Sequence, residues 1–253
     1  MTFPLITDPF FYAWTIPAVL LLGISKSGFG AGFGSLAVPM MAMVITVPQA
    51  AAILMPVLFV MDVLSMVAFR EDYDKKLLKF LLPFGLLGIV LGAFLFKVLD
   101  AKLVAGIVGV FTLLFLAQRL LFPPKPNSPP SPLWLGALLT LTSGFTSFIA
   151  HSGGPPINAY LIPLKLKPVV FAATMSFFFF FLNLSKWVPY AWLGLLDMRN
   201  FATSLVLLPL APIGVWIGIR IAKHIDPKLF YKILYTGVLL TGCKLVWDAF
   251  GKQ

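Results

Sequence analysis

The sequence is short of charge. Only 11% of its 253 residues are Asp, Glu, Lys or Arg, against about 25% in a soluble globular domain. That shortage excludes a water-soluble enzyme and a disordered chain, both of which need charge to stay solvated. It also removes the nucleic-acid binder that a net charge of +10 would otherwise suggest. The basic residues stand in short gaps between apolar runs, where membrane-protein loops carry them. Cysteine is almost absent, and Cys243 alone makes neither a disulfide framework nor a cysteine metal cluster. His151 and His224 are the two histidines, so histidine and carboxylate ligands are too sparse for a metal site. No Lys or Arg precedes Lys26, so the start lacks the basic stretch of a cleaved secretory signal. No Gly-x-x-x-x-Gly-Lys-Ser/Thr loop for ATP exists, and no carboxylate accompanies His151 in its segment to complete a catalytic triad. The expectation is a chain with no catalytic residue, metal or cofactor.

What the chain has instead is apolar length. Sixty per cent of it is hydrophobic, with 25 Phe and six Trp. A helix crosses the hydrocarbon core in about 20 apolar residues, so this length holds about eight to ten spanning or half-spanning segments. The apolar stretches run over 11–27, 33–46, 49–69, 79–97 and 102–121, then over 133–149, 154–164, 168–194, 201–219 and 229–250. Between the two sets lies 122–132, Phe-Pro-Pro-Lys-Pro-Asn-Ser-Pro-Pro-Ser-Pro. Proline fixes φ and donates no backbone hydrogen bond, so this linker cannot be helix. It separates a first membrane half, 1–121, from a second, 133–253.

The halves read as copies. Pro83, Gly88, Gly92, Lys97, Asp100, Lys102 and Leu103 recur 126 residues later as Pro209, Gly214, Gly218, Lys223, Asp226, Lys228 and Leu229. Gly28, Phe29 and Pro39 recur 116 residues later as Gly144, Phe145 and Pro155. Each copy has about five segments, the first two forming a short Gly-rich hairpin, and an odd number turns the second copy over. The loops then divide with twelve Lys and Arg on one side and five on the other, whereas four crossings per half divide them nine to eight. Positive loops mark the cytoplasmic face. The expected fold is therefore an all-α polytopic membrane protein of two inverted repeats, with a cytoplasmic linker and both termini extracytoplasmic. Secondary transporters are built this way.

Both hairpins are interrupted. Residues 25–35 read Ser-Lys-Ser-Gly-Phe-Gly-Ala-Gly-Phe-Gly-Ser, and 143–156 read Ser-Gly-Phe-Thr-Ser-Phe-Ile-Ala-His-Ser-Gly-Gly-Pro-Pro. Non-helical backbone at membrane depth survives only inside protein or along a watery cavity. Matching interruptions in two halves point to a transporter's binding site. Helix N-termini after such loops offer N–H groups and a positive dipole end to an anion. The expected substrate contacts are Lys26, Ser27, Gly28, Gly30, Gly32 and Ser35 from the first hairpin. The second supplies Ser143, Gly144, Thr146, Ser147, His151, Ser152, Gly153 and Asn158. The hairpin glycines could instead be packing surfaces, which is the reading for Gly85, Gly88, Gly92, Gly214 and Gly218.

Four ionisable side chains lie inside apolar segments: Lys26, Asp62, His151 and Lys186. Charge is costly there and points to function. Asp62 and Lys186 stand 124 residues apart, near the repeat offset. They either form a salt bridge, or Asp62 titrates in a proton relay. Lys26 either charges the binding loop or snorkels to an interface, and Lys186, beside Trp187, either joins the site or anchors an interface. His151 is either structural or in contact with substrate or proton. Two lysines and one aspartate sum to +1, which in a low-dielectric cavity favours an anion.

Over about residues 10–250 the chain resembles the sulfite exporter TauE/SafE family. The resemblance is carried by Gly34-Ser-Leu-Ala-Val-Pro39, by His151-Ser-Gly-Gly-Pro-Pro156 and by the proline-rich centre. It implies a prokaryotic inner-membrane transporter of sulfur-containing anions such as sulfite, thiosulfate or an organosulfonate. It also implies about eight spans, which the ten segments match when short hairpins count once. The expected function is secondary transport, as an exporter, of such an anion by alternating access. The partners are the substrate, the lipid bilayer and protons as coupling ion, with no nucleic acid. An anion channel and a transporter of another small anion, such as a carboxylate, are the alternatives.

Overall fold

The computed structural model describes residues 6–30, 34–41, 43–121, 131–194 and 198–251. The helices of the first half are α1 (Pro9–Phe29), α2 (Ala37–Met41), α3 (Val47–Ala68), α4 (Lys75–Leu95) and α5 (Ala101–Leu121). Those of the second are α6 (Leu133–Ala150), α7 (Gly154–Leu161), α8 (Pro168–Trp192), α9 (Met198–Leu207), α10 (Leu210–His224) and α11 (Pro227–Phe250). Single 3-10 turns, Gly34–Leu36 and Ile162–Leu164, precede α2 and follow α7. All regular structure among the described residues is helical. The proline-rich linker lies outside the described residues except for its last two positions.

Each apolar stretch of the sequence holds a helix. The stretch 201–219 is broken into α9 and α10, bent by 49°. The break falls at Pro209, whose missing N–H interrupts the helical ladder. Among the described residues five helices are long and apolar enough to cross a membrane: α1, Gln49–Ala68 of α3, α4, α8 and α11. The bent pair α9 and α10 makes a sixth. This is fewer than the sequence suggests. The apolar parts of α5 (Lys102–Ala117) and α6 (Leu133–Ile149) are shorter. The five residues of α2 and eight of α7 rise only about 8 and 12 Å at 1.5 Å per residue.

The glycine-rich stretches are more helical than their composition suggests. α1 continues through Ser25–Phe29, and α6 through Ser143–Ala150, leaving 151–153 as the turn of the second hairpin. Both helices end on a residue in the left-handed region, Gly30 at φ 56 and His151 at φ 51. Glycine adopts that conformation freely, whereas histidine is held there at a cost of about 1 kcal/mol.

Four acidic residues, Asp8, Asp74, Asp100 and Asp226, serve as helix caps. Asp74 accepts from the N–H groups of Lys76 and Leu77, Asp100 from Lys102, and Asp226 from Lys228 and Leu229. Asp226→Ala is expected to lower stability by about 1 kcal/mol, read as a fall in the thermal midpoint with transport unchanged.

Burial sets the layering. About two-thirds of the spanning window of α3 (67%) and 61% of that of α8 is buried, against 33% for α4 and 39% for α11. α3 and α8 therefore form the centre. α1 packs along α10, α4 along α6, and α5 along α11. The pairs approach through glycine. A Cβ on Gly28 would lie 3.0 Å from the Gly218 carbonyl oxygen, and one on Gly23 3.0 Å from the Gly214 Cα. One on Gly144 would overlap the Gly85 carbonyl, and one on Gly88 the Leu141 carbonyl. The outer faces carry exposed Phe94, Leu114 and Val188, as expected where lipid is the solvent. Trp134, Trp192 and Trp247 are exposed near helix ends, the pattern of an interfacial belt.

Candidate functional site

Both hairpins and both central helices meet at one cavity of about 50 Å3. α1 lines it with Leu22 and Lys26, the 3-10 turn before α2 with Gly34, and α2 itself with Ala37 and Val38. α3 adds Leu54 and Leu58. The second hairpin adds Ser147, His151, Gly153 and Gly154, and α8 adds Phe179, Asn183 and Lys186. The wall is mostly apolar, and charge enters it at two lysines.

Those lysines belong to one buried network. Lys26 Nζ lies 2.7 Å from Asp62 Oδ1, with side-chain exposures of 5% and 0%. Asp62 Oδ1 has no partner of hydrogen-bonding geometry, so charge and proximity rather than a linear bond hold this pair. Asn183 Nδ2 donates to Asp62 Oδ2 at 2.8 Å. Lys186 Nζ donates to Asn183 Oδ1 at 3.1 Å, to Ser147 O at 2.9 Å and to Ser147 Oγ at 2.8 Å. The network therefore runs Lys26–Asp62–Asn183–Lys186–Ser147 and ties α1, α3, α8 and α6 together.

Donor and acceptor chemistry accords with two ammonium groups and one carboxylate. An ammonium only donates, so Asn183 must turn Oδ1 towards Lys186 and Nδ2 towards Asp62. The Asp62 carboxylate is then an acceptor, as an ionised group is. Three acceptors surround the three N–H groups of Lys186, as an ammonium requires. Two ammonium groups against one carboxylate leave +1. The salt bridge open between Asp62 and Lys186 on the sequence is instead made by Lys26, with Asn183 between the other two. Burial removes the interfacial alternatives for both lysines, since Lys26 is 4% and Lys186 1% exposed.

Lys186 has no donor left over. Lys26 does: among the described residues Asp62 is its one charged partner, and its ammonium also faces the Phe179 ring at 5.6 Å. The first turn of α7 contains Pro155 and Pro156, which have no N–H. As the cap and first residue of that helix, Gly153 and Gly154 have N–H groups with no intrahelical partner, and both residues line the cavity.

The remaining expected contacts are placed as follows. Ser65 Oγ donates to Met61 O at 2.7 Å, so the 2.7 Å contact between Ser27 and Ser65 has Ser27 as donor. Ser143 Oγ donates to Gly153 O at 2.6 Å. Thr146 Oγ1 shares its one proton between Thr142 O at 2.8 Å and Ser152 O at 3.1 Å, and Ser152 N–H donates to Thr146 O at 3.2 Å. These groups hold the 151–153 turn. Gly28 and Gly144 stand at the helix contacts described above, and Gly30 lies against Phe171 and Met175. Asn158 is fully buried, has neither amide atom paired among the described residues, and is not among the lining residues. Gly32 and the Ser35 side chain lie outside the described residues. Ser27→Ala is expected to cost about 1 kcal/mol of stability and to leave anion binding within about twofold, checked by thermal unfolding with and without ligand.

His151 lines the cavity, with Nε2 2.8 Å from the Tyr190 hydroxyl, which donates to Phe148 O at 3.3 Å. Sequence reasoning passed over Tyr190, Ser65 and Asn183. Asn183 carried a usable signal: it is a polar residue one turn before Lys186 on an apolar helix, and intramembrane polar groups need partners.

A family model described as Sulfite exporter TauE/SafE matches residues 15–245. No curated protein and no solved structure matches the chain. The chain belongs to the sulfite exporter TauE/SafE family, a family of membrane transporters and not of enzymes. It is thus a multi-pass membrane protein, and its substrates are of the sulfur-anion kind that the description names.

Proposed function

We propose that this member of the TauE/SafE family exports a small sulfur-containing anion by alternating access, with the cavity between the hairpins as its binding site. The observation that carries the reading is the pair of buried lysines set against a single carboxylate beside that cavity. A net +1 in a low-dielectric site attracts one unit of negative charge. Lys26 supplies the charge, while Lys186 is spent on Asn183 and Ser147 and adds its field. The Gly153 and Gly154 N–H groups and the Ser147 hydroxyl complete a set of donors suited to oxyanion oxygens. The cavity of about 50 Å3 holds roughly three to five non-hydrogen atoms, at about 10–15 Å3 for each water-sized unit. Sulfite and thiosulfate are of that size.

The two halves act as inverted repeats around the site. Their helices pair crosswise, α1 with α10 and α4 with α6, as two-fold-related copies do. Asp100 and Asp226 match in sequence and cap the last helix of each half. Lys97 lies over Trp192 and Lys223 over Phe69, which groups these helix ends as the two-sided charge division groups their loops. On that division the linker and most basic loops face the cytoplasm of a prokaryotic inner membrane, and both termini face away from it. When a doubly charged anion takes Lys26, a proton on the Asp62 carboxylate supplies the second unit of compensating charge. Asp62 is thereby the coupling residue.

Reconstitution into liposomes tests the reading. Saturable uptake of radiolabelled thiosulfate, accelerated by unlabelled thiosulfate on the opposite side, supports a transporter. Conductance without counterflow identifies a channel instead. Flux of acetate in preference to every sulfur anion overturns the substrate class.

A further inference from the structure

We infer that Asp62 sets the valence of the anion, so that with its carboxylate ionised the site accepts one negative charge and rejects two. The inference rests on the reading of the cavity as the anion site.

The argument is charge balance in a dry place. Lys26 and Lys186 are both buried, and the carboxylate that faces them from α3 accepts from Asn183 and pairs with Lys26. Among the described residues, His151 is the other titratable group on the cavity wall. At about pH 8 an imidazole is neutral, so it adds nothing there. A monoanion then brings the site to zero, whereas a dianion leaves it at −1. The apolar part of the wall, Leu22, Leu54, Leu58 and Phe179, keeps the dielectric low, and the polar donors beside it carry no full charge to cancel the excess. Unit charges a few ångströms apart under a low effective dielectric differ in binding by well over tenfold.

A dianion enters only with one further positive charge, and a proton on Asp62 supplies it. For sulfite this gives two equivalent routes. Hydrogensulfite enters beside the ionised carboxylate, or sulfite enters beside the protonated one. The same proton rides on the substrate or on the protein, and no bond other than that O–H changes. Asp62 thus does more than relay a proton, because it fixes how many charges the cargo carries.

The test uses two anions that differ in charge and little else. Methanesulfonate and sulfate have equal numbers of non-hydrogen atoms and similar shape, and neither titrates near pH 8. Their dissociation constants would be measured by calorimetry on full-length protein in nanodiscs at constant ionic strength. Wild-type protein is expected to bind methanesulfonate at least about tenfold more tightly than sulfate. Asp62→Asn raises the site to +2, and the ratio is expected to move at least about tenfold towards sulfate. Lys186→Gln lowers the site to zero and is expected to move the ratio the other way. It decides the question should Asp62→Asn not fold. Wild-type preference for sulfate, or a ratio unchanged in the variants that fold, overturns the inference and leaves the binding site standing. Failure of wild-type protein to bind either anion overturns the cavity reading and this inference with it.

Discussion

Lys26→Met is expected to abolish anion binding, weakening it by at least about 100-fold. The substitution keeps the length of the side chain and removes its ammonium. Lys26 is the cavity-facing cation with N–H groups to spare, since Lys186 spends its three on Asn183 and Ser147. Its loss takes the site from +1 to zero and leaves a carboxylate beside the place the substrate must occupy. The folded state suffers as well. Breaking a buried pair by removing one partner costs about 3–5 kcal/mol, because the other charge is left uncompensated. Asp62 is fully buried and keeps one amide donor from Asn183. The double variant Lys26→Met with Asp62→Asn should therefore regain much of the lost thermal stability while anion binding stays far below wild type, because the +1 it restores sits on Lys186, whose N–H groups are spent on Asn183 and Ser147. That pattern separates a binding role from a structural one, since a structural role predicts that both return together.

Gly88→Ala is expected to prevent assembly of the α4–α6 pair, with a stability loss of at least about 3 kcal/mol. A methyl at position 88 would overlap the Leu141 carbonyl oxygen and lie 2.7 Å from the Phe145 backbone nitrogen. Both obstacles are backbone, so no rotamer change relieves them and the helices must separate. Gly194→Ala is the control. Gly194 has φ 70 but, among the described residues, nothing within 4 Å of an added methyl, so the expected cost is that of the left-handed conformation, about 1 kcal/mol. Detergent size-exclusion profiles and thermal midpoints distinguish a lost fold from a modest shift.

These two residues show what the sequence could and could not say. Gly88 was legible as packing because its spacing with Gly85 and Gly92 puts three glycines on one helix face, and small residues are how membrane helices approach. Lys26 was legible as a buried, partnered charge because a charge inside an apolar run demands a partner. The identity of that partner was not legible. Asp62 and Lys186 occupy matching places in the halves, yet Lys26 reaches the carboxylate, because the helical register of α1 runs unbroken past Ser25 and carries the ammonium inward. The glycine content of 25–35 suggested a loop that the structure delays to Gly30. The hydroxyls of Ser143 and Thr146 were read as substrate donors from composition, but a turn of three residues exposes carbonyls that need donors, and these side chains supply them. Which hydroxyl serves backbone and which serves a cavity depends on angular position around a helix that ends nearby. A one-residue error in where the helix ends rotates that assignment by about 100°.

The most direct test of the account is where an anion sits. Selenite has the shape and charge of sulfite and scatters anomalously, so crystals grown with it would locate the ligand without assumption. The account predicts one strong peak inside the cavity, within about 4 Å of Lys26 Nζ, bounded by the second hairpin at Gly153 and Gly154 and by Asn183. A peak elsewhere in the membrane region, with that cavity empty in protein that binds selenite in solution, would contradict it.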